Sequence, residues 1–503
     1  MQPSQQRDPA VGSTREALKV KLESVDCFER DFKLRLPFRF GVITVTEGTQ
    51  AVIRASVALQ DGRRAIGIAA ESLGAKWFDK SPAFSDAQNL DQLRQALSVA
   101  IALYCGRGWS TPFGLYADTY RDQLTGCADL GLVPLVACYG PALLDRAILD
   151  ALGRAEGLSF AEMIGRNAAG IHVRDDLTPD LAGFDLAGFL HALQPGRDIA
   201  VRHTVGLVDP IVASDQRPGE RVNDGLPETL AEVVRHYGAR YYKLKVGGDV
   251  AADLDRLQRI AAVLDGEAGG YLATLDGNEQ YDGVEGIAEL WRRMGETPAL
   301  ARLGRATLFI EQPIKRARAL TTSVEPLARL KPLIIDESDG ELASFPAALR
   351  LGYSGVSSKN CKGLYKSILN AARVARLNAD AGTERHFMSA EDLTTLAGVS
   401  VQQDLALVSL LGLGHVERNG HHFIDGMSFA PEPEQAAFAR THPDLYSRSG
   451  GPTRLRIEAG RLQLGSLDCP GYAVAADTDF ASLRRMRAPP TGRIAPAYPE
   501  EAA

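Results

Sequence analysis

Tyr241-Tyr242-Lys243-Leu244-Lys245 is the first of five short segments in this chain that end on or beside a charge. The others are Leu275-Asp276-Gly277-Asn278, Phe309-Ile310-Glu311-Gln312-Pro313, Ile334-Ile335-Asp336-Glu337-Ser338 and Val356-Ser357-Ser358-Lys359. From Lys245 through Asp276, Glu311 and Asp336 to Lys359 the steps are 31, 35, 25 and 23 residues. Each step is about one β-α unit. Charges at the C-terminal tips of successive parallel strands describe the active-site face of a (β/α)8 barrel. Three tips carry carboxylates and two carry lysines.

The pattern extends outward from there. Short β-rich runs at 199–207, 240–246, 271–276, 306–311, 332–336, 355–359, 385–390 and 414–418 alternate with helical texture at 227–237, 251–264, 284–293, 320–330, 344–351, 364–377 and 394–411. That is the eight-strand count. The loop at 208–224 is long and polar, and is placed to cover part of the site. Upstream, residues 18–60 alternate with period two, as an antiparallel meander does, and 85–170 are helical in texture. The predicted division is a disordered lead-in at 1–17, an α+β domain at 18–195, an α/β barrel of (β/α)8 type at 196–428, and a C-terminal segment at 429–503. That last segment reads as a hairpin around Ala459-Gly460 and a disordered tail over the last ~15 residues.

Bulk properties exclude several classes. The 503 residues need more than one core. Hydrophobic residues at 45% and charged residues at 24% describe an ordinary globular protein. A net charge of −7 argues against nucleic acid or an anionic membrane as partner. No apolar run reaches the ~18 residues of a membrane span. The N-terminus lacks an apolar signal core, and the six cysteines form no Cys-x-x-Cys pair, so free thiols and a cytoplasmic location are expected.

Carboxylate oxygens on rigid strand ends suit a hard cation, with Mg²⁺ the default and Mn²⁺ the alternative. Lys243 and Lys245 share one strand face, and two adjacent ammonium groups depress a lysine pKa. Lys359 lies four strands away, across the barrel mouth from Lys245. One base on each side of a substrate carbon can remove and return a proton with inversion. Lys362 reads as a surface residue at a helix start. Trp77-Phe78 reads as core or interface, and His421 and His422 as loop histidines.

Taken together, Lys-x-Lys, Asp-x-Asn, Glu-x-Pro, Asp-Glu-Ser and the sixth-strand lysine resemble the enolase superfamily, most of all its mandelate racemase/muconate lactonizing enzyme group. The resemblance covers about residues 18–485. Leu36-Pro37-Phe38-Arg39-Phe40-Gly41 is similar to that family's mobile capping loop. Gly471-Tyr472-Ala473-Val474 is similar to the segment that returns to the capping domain. The resemblance implies that Asp276, Glu311 and Asp336 bind the metal, that Lys245 and Lys359 are the acid/bases, and that Lys243 tunes Lys245. Asn278 and Glu337 would orient the ligands. Phe38, Arg39, Glu391, Asp392 and Glu417 are the candidates for substrate contact. The implied chemistry is α-proton abstraction from a small-molecule carboxylate through an enediolate, by a racemase or epimerase that forms homo-oligomers. Pairing a Lys base with Mg²⁺ is the general scheme for that superfamily. Alternatives are a syn-elimination lyase or dehydratase, a cycloisomerase and, more remotely, a catalytically silent binding protein. Two departures stand out. Lys359-Asn360-Cys361-Lys362-Gly363 has one glycine where the family has two. The eighth strand also lacks the Asp-x-Asp of dipeptide epimerases. His386 lies before its strand tip, at the wrong depth for the base of an acid-sugar dehydratase.

Overall fold

The computed structural model describes residues 17–40 and 43–498. Two strands of unusual length open the chain, β1 (Val20–Phe40) and β2 (Ile43–Leu59), followed by β3 (Arg64–Ser72). They pair antiparallel, as the period-two pattern requires. Leu36–Phe40, expected as a capping loop, belongs to the end of β1 instead. Phe38 pairs with Val45 and Arg39 with Thr44, beyond a register shift that begins at Lys33. Gly41 and the lead-in at 1–16 lie outside the described residues.

Helices Asp86–Arg107, Pro112–Asp129 and Tyr139–Glu156 cover this sheet. Ser85 and Gln88 form a capping box on the first of them, and Thr111 caps the second. The third packs so close to β3 that a Cβ on Gly67 would stand 2.0 Å from the Ala147 carbonyl oxygen. Only glycine permits that approach.

The barrel consists of β4 (Asp198–Val205), β5 (Tyr241–Lys245), β6 (Leu272–Asp276), β7 (Thr307–Glu311), β8 (Leu333–Ile335), β9 (Gly355–Ser358), β10 (Phe387–Ala390) and β11 (His415–Arg418). Each pairs parallel with the next, and β11 closes on β4. Amphipathic helices such as Leu230–Tyr237 and Val284–Glu296 fill the connections. The helix expected at 320–330 shrinks to Glu325–Ala328, because Thr321-Thr322-Ser323 turns and Pro326 confines the start.

Beyond the barrel come β12 (Tyr446–Ser447), β13 (Arg454–Leu455), β14 (Arg461–Gln463) and β15 (Arg484–Arg485). The turn at Ala459-Gly460 forms, but β14 adds antiparallel to barrel strand β4. The return to the N-terminal sheet comes later. Tyr472 stacks on Phe160 at 3.9 Å, its backbone N–H donates to Asp150, and β15 pairs with β1. The tail expected to be disordered is held at least to Tyr498. Gln95 donates to the Pro490 and Gly492 carbonyls, and Gln88 to Ala495. Helix Asp86–Arg107 thus offers side-chain amides that a polar, Pro-rich segment can satisfy.

A buried polar cluster joins sheet to barrel. Arg146 reaches Glu71 at 3.1 Å and Gln403, while Gln403 donates to the Ile68 carbonyl. Burial pushes the Glu71 carboxyl up to about 7, against the pull of Arg146. Folded Glu71 therefore keeps its proton between about pH 4.5 and 7, where the unfolded chain has released it. Stability from this group falls as pH rises through that window. Glu71→Gln should flatten the slope by up to one proton, about 1.4 kcal/mol per pH unit. Urea unfolding at pH 5 and pH 8 measures it, and an unchanged slope refutes the assignment.

Candidate active site

Strand alternation decides which side chains enter the barrel. On β5, Lys243 and Lys245 point inward. Parallel register then sets Lys245 beside Asp276 and Asp276 beside Glu311. Asp336 and Lys359 follow β8 and β9 by one residue. All six are buried.

Lys245 Nζ lies 2.5 Å from Asp276 Oδ2. Lys359 Nζ lies 2.6 Å from Asp336 Oδ2. Lys243 sits deeper, with Asp276, Glu311, Glu391 and Glu417 oxygens at 2.7–2.9 Å. Burial opposes its charge, but those four carboxylates outweigh burial and raise its pKa well above the ordinary value. Lys243 and Lys245 share Asp276 Oδ2, so they are neighbours, as their spacing predicts. Lys243 is nevertheless claimed by a ring of acids.

Burial, then the Asp276 and Glu391 charges, push the Glu311 carboxyl well above its usual range. Asp336 moves the other way. Burial works against its charge, but Lys359, Lys362 and Lys243 hold its carboxyl well below the usual range. Its Oδ1 also accepts from Ser357 Oγ. Among the described residues no three His, Cys, Asp or Glu side chains stand grouped as an ion would need. Lys243 bridges Asp276 and Glu311, while Lys359 and Lys362 hold Asp336. The donor set is nonetheless all oxygen, on strand ends, around a carboxylate crowded by other carboxylates. That chemistry suits a hard dication.

Several residues stand elsewhere than the sequence suggested. Lys362 is buried rather than on the surface. Its amine reaches Ser357 Oγ at 2.7 Å and Asp339 at 3.2 Å. Glu391 and Glu417, expected at the substrate, are taken up by Lys243. Asp392 accepts from the Thr395 and Asn419 backbone N–H groups and so fixes a loop. Phe38 packs on Phe423 at 4.5 Å, between the end of β1 and the segment after β11. Arg39 lies on β1 opposite Thr44. Asn278 donates to Glu337 at 2.9 Å, as an orienting pair would. His421 and His422 pack with His203 outside the barrel wall, and burial pushes His203 down to about 3.

Other residues carried no signal in the sequence. Lys80 bridges Glu279 at 2.6 Å and Glu337 at 3.2 Å. Arg316 donates to the Trp77 and Phe78 carbonyls. Together they lock the segment after β3 onto the barrel mouth, and the Trp77 ring centroid lies 4.1 Å from Lys359 Nζ. Arg35 ties β1 to the loop after β4 through Asp224 at 2.5 Å. Left-handed backbone at Asn278, Glu279, Gln312 and Thr394 clusters at these strand ends. Such strain concentrates at functional sites.

No family model matches the chain. An L-Lys-D/L-Arg epimerase from Methylococcus capsulatus is 32% identical over 183 residues, which is 33% of this chain and 46% of that protein. The match thus spans about half the relative's length. Among solved structures, a dipeptide epimerase from Enterococcus faecalis V583, complexed with Mg and the dipeptide L-Leu-L-Tyr, is 14% identical. It covers 90% of this chain and 99% of its own, with a TM-score of 0.55. A 2-chloromuconate cycloisomerase from Rhodococcus opacus 1CP is 18% identical, over 91% and 97%, at 0.54. This chain shares the fold of these two enzymes, a closed (β/α)8 barrel with an N-terminal sheet beside it. Within that fold, Lys245, Asp276, Glu311, Asp336 and Lys359 occupy the C-terminal ends of successive barrel strands, where TIM-type barrels build their sites. No helix among the described residues is long and apolar enough to cross a membrane.

Proposed function

We propose that this protein is a divalent-metal-dependent racemase or epimerase that removes the α-proton of a carboxylate. One observation carries the reading. Lys245 and Lys359 approach the same buried carboxylate set from opposite sides, one through Asp276 and the other through Asp336. The partial likeness to an epimerase agrees with it. Asp276, Glu311 and Asp336 would hold Mg²⁺. Bound there, the dication would neutralise charge that builds on the substrate carboxylate as the α-proton leaves.

The chain's own residues do the rest. Lys245 takes the proton from one face of the α-carbon. Lys359, as the ammonium, returns one to the other face. In the reverse direction the roles exchange. Lys243 stays charged among its acids and positions Asp276 and Glu311. Asn278 and Glu337 brace the strand ends.

Incubation in D₂O with Mg²⁺ and a library of amino acids, N-acylamino acids, dipeptides and hydroxy acids tests the proposal. One class should gain deuterium at the α-carbon and lose optical purity. Exchange without inversion would favour elimination or cycloisomerisation. No exchange in any class, by protein shown to bind Mg²⁺, would remove the reading.

A further inference from the structure

Asn278 and Glu279, just past the tip of β6, both have left-handed backbone, with φ of 40° and 69°, and Gln312, past the tip of β7, has φ of 31°. None of the three is glycine, so each conformation is costly and persists only where its surroundings hold it. The strained turn brings the Asn278 backbone N–H to Asp276 Oδ1 at 2.8 Å and the Glu279 N–H to the Gln312 carbonyl at 3.0 Å. Gln312 in turn accepts the Asp336 and Ser338 backbone N–H groups on its side-chain oxygen, at 2.9 and 3.2 Å. The tips of β6, β7 and β8 are knitted together in this way, and with them the carboxylates of Asp276, Glu311 and Asp336.

Lys80 holds this turn from the N-terminal side. Its amine donates to the Asn278 carbonyl at 3.1 Å, pairs with Glu279 at 2.6 Å and reaches Glu337 at 3.2 Å. One ammonium therefore grips both strained residues after β6 and, two strands away, the residue next to Asp336 after β8. Burial works against the Lys80 charge, but Glu337 and Glu279 outweigh it and raise its pKa above the ordinary value, so the amine stays charged. Arg316 shares only part of this duty. Its hydrogen bonds among the described residues go to Glu279 and to the Trp77 and Phe78 carbonyls, not to Asn278 or Glu337.

We propose that Lys80 is a positioning residue for the metal ligands. By clamping the tips of β6 and β8 to the segment after β3, it sets the spacing of Asp276 and Asp336, and the divalent-cation site is complete only with that segment docked. This rests on the ligand set proposed above and not on the two-lysine proton transfer.

The sign of one measurement separates positioning from charge balance. Lys80→Met removes a positive charge and frees the Glu337 carboxylate beside the site, so on Coulombic grounds alone a dication should bind more tightly. Lost alignment acts the other way, because removing a residue that orients metal ligands costs about 10–100-fold in affinity. EPR of free and bound Mn²⁺, on the whole chain without substrate, reads the outcome. Lys80→Met should bind Mn²⁺ about 10–100-fold more weakly than wild type, with a broadened bound-ion spectrum. Lys80→Arg, which keeps the cation, should recover most of that loss. Arg316→Met loosens the docking but leaves Lys80 on Asn278 and Glu337, and should lose less than Lys80→Met. Lys80→Gln, one atom shorter and uncharged, makes the same comparison if Lys80→Met does not fold. Equal or tighter binding without the ammonium, or an equal loss in Arg316→Met, overturns the proposal and leaves the α-proton reading standing. If wild type itself binds no Mn²⁺, the ligand set is wrong and both fall.

Discussion

Lys245→Ala and Lys359→Ala should each lose about 10²–10⁴-fold in α-proton exchange, and on opposite enantiomers of the substrate. The expectation follows from placement. The two amines reach the carboxylate set from barrel strands four apart, so a carbon held between them presents one face to each. Removing one base leaves the other able to exchange the proton on its own side. Neither variant should collapse the barrel. Without Lys245, Asp276 keeps Lys243 at 2.9 Å. Without Lys359, Asp336 keeps Lys362 and the Ser357 hydroxyl. NMR detection of deuterium uptake into each pure enantiomer provides the measurement. Full exchange on both enantiomers by Lys359→Ala would make Lys359 only a counter-ion of Asp336. Retained exchange with lost product would make elimination or cycloisomerisation the better reading.

The strand series was legible because its information is local. A run of β-branched and apolar residues ending in a charge marks a strand tip, and even spacing marks β-α units. The lateral register of Lys245, Asp276 and Glu311 follows from parallel pairing of such runs. What the sequence hid depends on distant partners. Lys362, just before a glycine, has the local look of a solvated helix start. It is buried because Asp336 and Asp339, more than twenty residues upstream, offer it carboxylates. Trp77 looked like core, and it is buried. That its ring covers Lys359 depends on Lys80 and Arg316 docking one domain on the other. The Ala459-Gly460 turn was readable from local chemistry, while the choice of β4 as partner strand was not. The 489–498 tail has a disordered composition, yet amides on helix Asp86–Arg107 hold it. Glu391 and Glu417 were visible as strand-end acids. Their attachment to Lys243 is a matter of barrel depth, which periodicity alone does not give.

Lys243→Met should destabilise the fold by about 3–5 kcal/mol at pH 7 in EDTA, the largest stability effect expected of any single change in the site. Among the described residues Lys243 is the one ammonium in contact with Asp276, Glu311, Glu391 and Glu417 together. Of these four acids, Glu391, through Arg202, and Asp276, through Lys245, keep another ion-pair partner among the described residues. Methionine preserves much of the volume but leaves buried carboxylates facing one another. Glu311, already held well above its usual range, would then be protonated or would need another cation. Millimolar Mg²⁺ should therefore restore more stability to Lys243→Met than it adds to wild type, because the variant offers the dication carboxylates with no competing ammonium among them. Urea unfolding of both proteins, with EDTA and with Mg²⁺, reads the two effects separately. Equal stability in EDTA would mean that the acids share protons instead of relying on Lys243. A large loss that Mg²⁺ leaves unrepaired would place the metal away from Asp276 and Glu311, and would remove the proposed ligand set without touching the fold.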